Sequence, residues 1–146
     1  MKSEHITSLE DLARCAEKII ADISASDMTH VVTLSGELGA GKTALIKECA
    51  RVLGVTHTIT SPTFVVMKSY EIPTHTRFAT LTHIDAYRID DENEMRVLGF
   101  ESLLTDTQKL LCIEWPEKIA SLIPSDAYRI RLTLQPDGTR NIEYGY

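Results

Sequence analysis

Cysteine, aromatic side chains and excess positive charge are all scarce in this 146-residue chain, and the first and last of these scarcities each remove a class of protein. The three cysteines, Cys15, Cys49 and Cys112, form no Cys-x-x-Cys pair and no His/Cys cluster, which argues against a zinc site and a disulfide framework. Cys49 and Cys112 fall in apolar runs, so buried free thiols in a reducing cytoplasm are expected. Only 6% of residues are aromatic, with a single tryptophan, Trp115. The formal net charge is −6, which excludes a broad surface that grips nucleic acid unaided but leaves room for an acidic subunit of a larger complex. No apolar run approaches the roughly 20 residues of a membrane span, and the polar start Met1-Lys2-Ser3-Glu4-His5 has no hydrophobic region behind it. A cytoplasmic protein with no membrane contact is expected. Against these absences, 43% hydrophobic and 25% charged residues describe an ordinary globular core, and the length suits one domain over residues 1–146.

What is present begins with Gly36-Glu37-Leu38-Gly39-Ala40-Gly41-Lys42-Thr43, which fits G-x-x-x-x-G-K-[ST] at every position. Glycines allow the tight turn that points successive N–H groups at phosphate oxygens. Lys42 supplies a point charge for the β- and γ-phosphates, and the Thr43 hydroxyl suits Mg²⁺. Val31-Val32-Thr33-Leu34 before it reads as a buried strand. Leu45, Ile46, Cys49, Ala50, Val52 and Leu53 after it recur at helical spacing, with Gly54 placed as a C-terminal cap. Phosphates would then lie on a helix N-terminus, where free N–H groups and the dipole favour anions.

The rest of the chain alternates in the same manner. Residues 8–23 carry a helical apolar period with Thr7-x-x-Glu10 resembling a capping box. Ser61-Pro62-Thr63 shapes a loop that feeds a strand over Phe64–Tyr70, and residues 71–80 suit an exposed hairpin connection. Leu81–Ile84 is a second strand ending in Asp85-Ala86-Tyr87-Arg88; Asp90–Leu98 suits a short acidic helix. Leu110–Ile113 is a wholly apolar strand followed by Glu114-Trp115-Pro116-Glu117, with Pro116 opening a helix to about Leu122. Ala127–Leu134 and Thr139–Tyr144 flank the turn Pro136-Asp137-Gly138 as a hairpin. The expected fold is α/β: a phosphate-loop NTPase fold with a mixed, partly parallel sheet flanked by helices and a C-terminal antiparallel hairpin.

A bound nucleoside triphosphate needs a metal, and the metal needs oxygens beyond Thr43. Asp85 and Glu114 each follow an apolar strand, where ligands of open α/β sheets gather. Asp85 reads as a metal ligand or as the cap of the next segment, Glu114 as a metal or water contact or as a solvated strand end. Thr63 could offer its hydroxyl to metal or γ-phosphate, or simply belong to a turn. Trp115 reads as packing or as a cover for the site, His83 as a structural histidine, and Arg88 as a partner of phosphate or of an acid. There is no Asn-Lys-x-Asp for guanine, no acidic pair at Asp85-Ala86, and no arginine-rich lid of the kind small-molecule kinases use.

Four blocks together resemble the TsaE family, the ATPase subunit of bacterial tRNA threonylcarbamoyladenosine biosynthesis: Leu34–Thr43, Ser61-Pro62-Thr63-Phe64, His83–Arg88 and Ile113-Glu114-Trp115-Pro116-Glu117. The resemblance implies ATP binding and slow Mg²⁺-dependent hydrolysis in a complex with TsaB and TsaD, in support of modification of the adenosine next to the anticodon. By the same resemblance Thr43 and Glu114 would hold Mg²⁺, Asp85 would be the acid of the second strand, and Thr63 would lie in a switch-like loop. Lys42, Asp85, Glu114 and Thr63 are thus the expected catalytic set. Residues Gly36, Glu37, Leu38, Gly39, Ala40, Gly41, Lys42, Thr43 and Ala44 would contact ATP or ADP, with Thr7 and Arg140 flanking the adenine. Two departures stand out: Ala44 where the family often has threonine or serine, and Ala86 where it usually has leucine. Contact with tRNA is expected to be limited or indirect. The alternatives are a small-metabolite kinase and a non-catalytic adaptor gated by nucleotide.

Overall fold

Seven strands form one sheet in a computed structural model that describes residues 1–75 and 77–146. The strands are β1 (Lys2–Ile6), β2 (Val31–Ser35), β3 (Met67–Glu71), β4 (Thr80–Asp85), β5 (Lys109–Glu114), β6 (Tyr128–Leu134) and β7 (Arg140–Gly145). The helices are α1 (Leu9–Ala25), α2 (Lys42–Leu53), α3 (Asn93–Val97) and α4 (Phe100–Thr105), with a 3₁₀ segment over Pro116–Leu122. The spatial order is β1-β7-β6-β2-β5-β4-β3. Pairing is parallel for β6/β2, β2/β5 and β5/β4 and antiparallel for β1/β7, β7/β6 and β4/β3, so the sheet is mixed as expected.

The central strands are apolar on both faces because both are covered. Leu110 and Cys112 of β5 and Val32 and Leu34 of β2 meet α1 and α2. Leu111 and Ile113 of β5 and Val31 of β2 pack with Met95, Phe100 and Ile119 on the other side. Burying each such side chain contributes roughly 1.5–3 kcal/mol, which is what binds the layers. Strand β6 alternates instead: Tyr128, Ile130 and Leu132 are buried on the α1 side, and Arg129, Arg131 and Thr133 are exposed on the other. All three cysteines are free and buried, and burial pushes the Cys15 and Cys112 thiols up to about 12. No helix among the described residues is long and apolar enough to cross a membrane.

Several elements depart from the sequence reading. The cap of α1 is Ser8, whose Oγ accepts from Asp11 N at 3.1 Å, so the capping pair is Ser8 with Asp11 rather than Thr7 with Glu10. β1 is a strand where only a polar lead-in was expected, held by five residue pairs to β7. Strand β3 starts at Met67, because the N–H groups of Val65 and Val66 both donate to Pro62 O and turn the chain there. The expected short helix within Asp90–Leu98 is α3, and past Gly99 (φ 83°) the chain forms a second short helix, α4, that was not expected; the segment after Pro116 is 3₁₀ with a kink at Ile119. The connection between β3 and β4 is anchored by Ile72 and Phe78, both buried, and Arg77 donates to the carbonyls of Ile23, Ser26 and Thr29 at the end of α1. Thr76 lies outside the described residues.

Candidate functional site

The carboxyl ends of β2, β5 and β4 lie side by side, with Leu34 opposite Glu114 and Glu114 opposite Asp85. The loop 36–41 leaves β2 at this edge and enters α2 through Gly41 (φ 103°), and no side chain caps the helix. Within the loop Ala40 N donates to Glu37 O at 3.1 Å. The N–H groups of Leu38, Gly39, Gly41, Lys42 and Thr43 donate to no acceptor among the described residues. Free N–H groups at a helix N-terminus form an anion site. Gly36 is obligatory here: a Cβ on it would stand 2.5 Å from Leu132 O of β6.

Lys42 Nζ donates to Gly36 O (2.7 Å) and Glu37 O (2.9 Å) and stands 4.2 Å from the centre of the Trp115 ring. Burial lowers its pKa, opposed by the carboxylates of Glu114, Glu117, Asp85 and Glu37. Thr43 Oγ1 donates to Glu114 Oε1 at 2.7 Å, and the buried His83 contacts the same oxygen through Nε2 at 2.8 Å. One strand away, Asp85 Oδ2 accepts from Thr63 Oγ1 at 3.0 Å and Oδ1 from Tyr87 N at 3.0 Å. Asp85 N in turn donates to Val66 O at 2.8 Å, so the loop over Pro62–Val66 is tied to Asp85 at two points. Trp115 adopts a left-handed backbone (φ 59°), which sets its indole against both Lys42 and the Tyr87 ring, the latter 5.0 Å away. Lys42, Thr43, Thr63, Asp85, Glu114 and Trp115 line a cleft of about 300 Å³. A larger hollow of about 620 Å³ lies between β6 and the 3₁₀ segment, is lined by Arg129 and Arg131, and includes none of the expected site residues.

Comparison with known proteins agrees with this geometry. The family model described as "Threonylcarbamoyl adenosine biosynthesis protein TsaE" matches residues 6–142. The chain belongs to the TsaE family. The protein named tRNA threonylcarbamoyladenosine biosynthesis protein TsaE from Treponema pallidum is 38% identical over 112 residues, 77% of this chain and 78% of that one. Its namesake in Bacillus subtilis is 35% identical over 129 residues, 87% of this chain and 77% of that one. The crystal structure of Bacillus subtilis YdiB superposes with a TM-score of 0.76 at 24% identity, covering 98% of this chain and 83% of that one.

Of the TsaE residues read from sequence, Leu38, Gly39, Gly41, Lys42, Thr43, Ala44, Thr63, Asp85 and Glu114 all line the cleft. Gly36 and Glu37 contribute through the carbonyls that hold Lys42. Arg140 reaches the loop from behind, its Nε donating to Ala40 O at 2.9 Å. Thr7 stands apart from the cleft: its hydroxyl and N–H both donate to Asp11 Oδ2. Phe64 is exposed, with the Arg88 guanidinium stacked 4.8 Å from its ring centre. His83 was read as a structural histidine, and its contact with Glu114 depends on the β4–β5 register, which neither strand spells out.

The donor set fits Mg²⁺. Thr43, Glu114 and Asp85 offer only oxygens, as a hard cation requires, and among the described residues no cluster of three His, Cys, Asp or Glu side chains forms an all-protein cage. That suits an ion completed by phosphates and water. A hydroxyl has one hydrogen and two lone pairs, so Thr43 can keep its bond to Glu114 while offering a lone pair to the metal.

Proposed function

We propose that this chain binds ATP and hydrolyses it slowly with Mg²⁺, as a subunit that acts with TsaB and TsaD in N6-threonylcarbamoylation of the tRNA adenosine next to the anticodon. The observation that carries the ATPase reading is the set of N–H groups of Leu38, Gly39, Gly41, Lys42 and Thr43, unpaired among the described residues, in one cleft with two strand-end acids, Glu114 and Asp85. Family membership carries the pathway. The N–H groups and the Lys42 ammonium stabilise charge on the transferring phosphoryl group, and a shift of Nζ from Gly36 O and Glu37 O to phosphate exchanges neutral acceptors for charged ones. Thr43, Glu114 and Asp85 would hold Mg²⁺, which when bound neutralises charge on the phosphate oxygens. Both oxygens of Asp85 accept hydrogen bonds, whereas those to Glu114 fall on Oε1, so Glu114 Oε2 is the freer atom for a water. The Trp115 indole covers the Lys42 ammonium and is backed by the Tyr87 ring.

The test is ATP turnover with Mg²⁺, first by the chain alone and then with purified TsaB and TsaD from the same source. Weak turnover that rises several-fold with the partners is expected, and Lys42→Ala should abolish nucleotide binding. Tight ATP binding by Lys42→Ala would refute the loop assignment. Turnover indifferent to the partners but dependent on an added small acceptor would favour a kinase. The double tie between Asp85 and the loop carrying Phe64 supports a second role, as a nucleotide-gated adaptor. That role predicts ATP-dependent association with the partners that survives in a Glu114→Gln variant unable to turn over.

A further inference from the structure

We propose that His83 is a positioning residue that fixes the Glu114 carboxylate for Mg²⁺-dependent nucleotide binding; the inference rests on the ATPase reading and names what orients its principal acid. His83 is wholly buried in β4, on the same sheet face as Asp85 and one pleat below it. Its cross-strand partner is Cys112, so the imidazole reaches diagonally to Glu114, two residues further along β5. The contact is short, 2.8 Å from Nε2 to Oε1. A carboxylate only accepts, so Nε2 carries the hydrogen. Nδ1 is buried with no hydrogen-bond partner among the described residues.

That arrangement is costly as packing. Leu81 and Leu110 fill the neighbouring positions of the same face with apolar side chains, and a leucine at 83 would bury no unpaired nitrogen. What the imidazole adds is a second donor on one carboxylate oxygen. With Thr43 Oγ1 and His83 Nε2 both on Oε1, the carboxylate is held at one end, and Oε2, which accepts no bond among the described residues, is left for the metal or its water. Among the described residues the other side chain hydrogen-bonded to Glu114 is Thr43, whose hydroxyl keeps that bond while offering a lone pair to the metal, so His83 is the donor on Glu114 that has no second task at the site. Groups that orient metal-binding carboxylates in this way are typically worth 10–100-fold in metal affinity or activity.

The experiment compares wild type, His83→Leu and His83→Gln in ATP binding, followed by fluorescence of Trp115, the chain's single tryptophan, in EDTA and across a Mg²⁺ titration. In EDTA all three should bind ATP within about twofold, because the loop N–H groups and Lys42 are intact. The Mg²⁺ midpoint should rise about tenfold in His83→Leu. His83→Gln, whose amide N–H reaches the place of Nε2, should recover most of that loss. A folded His83→Leu with the wild-type midpoint overturns the proposal, as does a His83→Gln impaired as much as the leucine variant. Should His83→Leu not fold, ¹⁵N spectra of wild-type imidazoles decide. An Nε2-protonated His83 whose signals move on adding Mg²⁺ and ADP supports the proposal, and an Nδ1-protonated ring overturns it. Wild-type protein that binds no ATP refutes the ATPase reading itself, and with it this inference, before any His83 variant is made.

Discussion

At Asp11 one carboxylate oxygen serves one residue twice, since Oδ2 accepts from both Thr7 Oγ1 (2.7 Å) and Thr7 N (3.0 Å), while the Asp11 N–H donates to Ser8 Oγ. The Thr7 hydroxyl does most to lower the Asp11 pKa, from its ordinary 3.8 to about 2, with the Thr7 N–H next and Arg14 contributing least. The folded pKa is below the unfolded one, so the stabilisation is fully present above about pH 4 and is lost as pH falls through about 2. The stability difference between wild type and Asp11→Asn should therefore be constant from pH 7 to 5 and vanish progressively towards pH 2, measured by urea unfolding. A difference that persists undiminished at pH 2 would show that the asparagine acts through packing. Ser8→Ala should cost about 1 kcal/mol between pH 5 and 7, and somewhat less towards pH 2, because the Ser8 side chain also helps to lower the Asp11 pKa.

The element that most constrains the site is the loop 36–41, where it crosses the end of β6. A Cβ on Gly36 (φ 150°) would meet Leu132 O at 2.5 Å, while one on Gly39 (φ 81°) would meet nothing within 4 Å. Gly39→Ala should therefore cost only the left-handed backbone term, roughly 1–2 kcal/mol. Gly36→Ala should cost clearly more, because loop and β6 must separate; thermal unfolding of the two variants side by side measures the excess. Equal losses would mean the loop can shift away from β6 freely. This element was legible in the sequence because its motif is contiguous and its flanking strand and helix are strongly patterned. β1 was not: Lys2-Ser3-Glu4-His5-Ile6 offers one buried apolar residue, and its pairing comes from β7, over 130 residues away. At Phe64-Val65-Val66 the β-branched pattern misled, since the turn after Pro62 overrides it and puts Val66 at φ 69°. The cleft residues Lys42, Thr43, Thr63, Asp85 and Glu114 were legible as strand-end and loop chemistry. Which atom meets which was not, because Glu114–His83 arises from the β4–β5 register and Thr43–Glu114 from where the first turn of α2 sits against the end of β5.

Across the whole molecule the sheet is covered unequally, and that inequality sets where it opens. Strands β2, β5 and β4 are enclosed by α1 and α2 on one face and by α3, α4 and the 3₁₀ segment on the other. β6, β7 and β1 have α1 beneath them but present Arg129, Arg131, Glu143, Ser3 and His5 outward. Amide exchange from an enclosed strand requires loss of both layers, close to global unfolding, whereas the β1/β7 edge can separate alone. Hydrogen exchange followed by mass spectrometry should find peptides spanning 31–35 and 109–114 protected longest and those spanning 2–6 and 140–145 exchanging first. Saturating ATP with Mg²⁺ should add protection at 36–45 and 61–66, because the loop amides gain acceptors and the Thr63 loop is tied to Asp85. The β1/β7 edge touches none of the cleft side chains except through Arg140 at the start of β7, so its exchange should change little. A ligand effect spread evenly over all seven strands would mean that nucleotide stabilises the fold as a unit rather than the site, and the local coupling between Asp85 and the loop over Pro62–Val66 would lose its support.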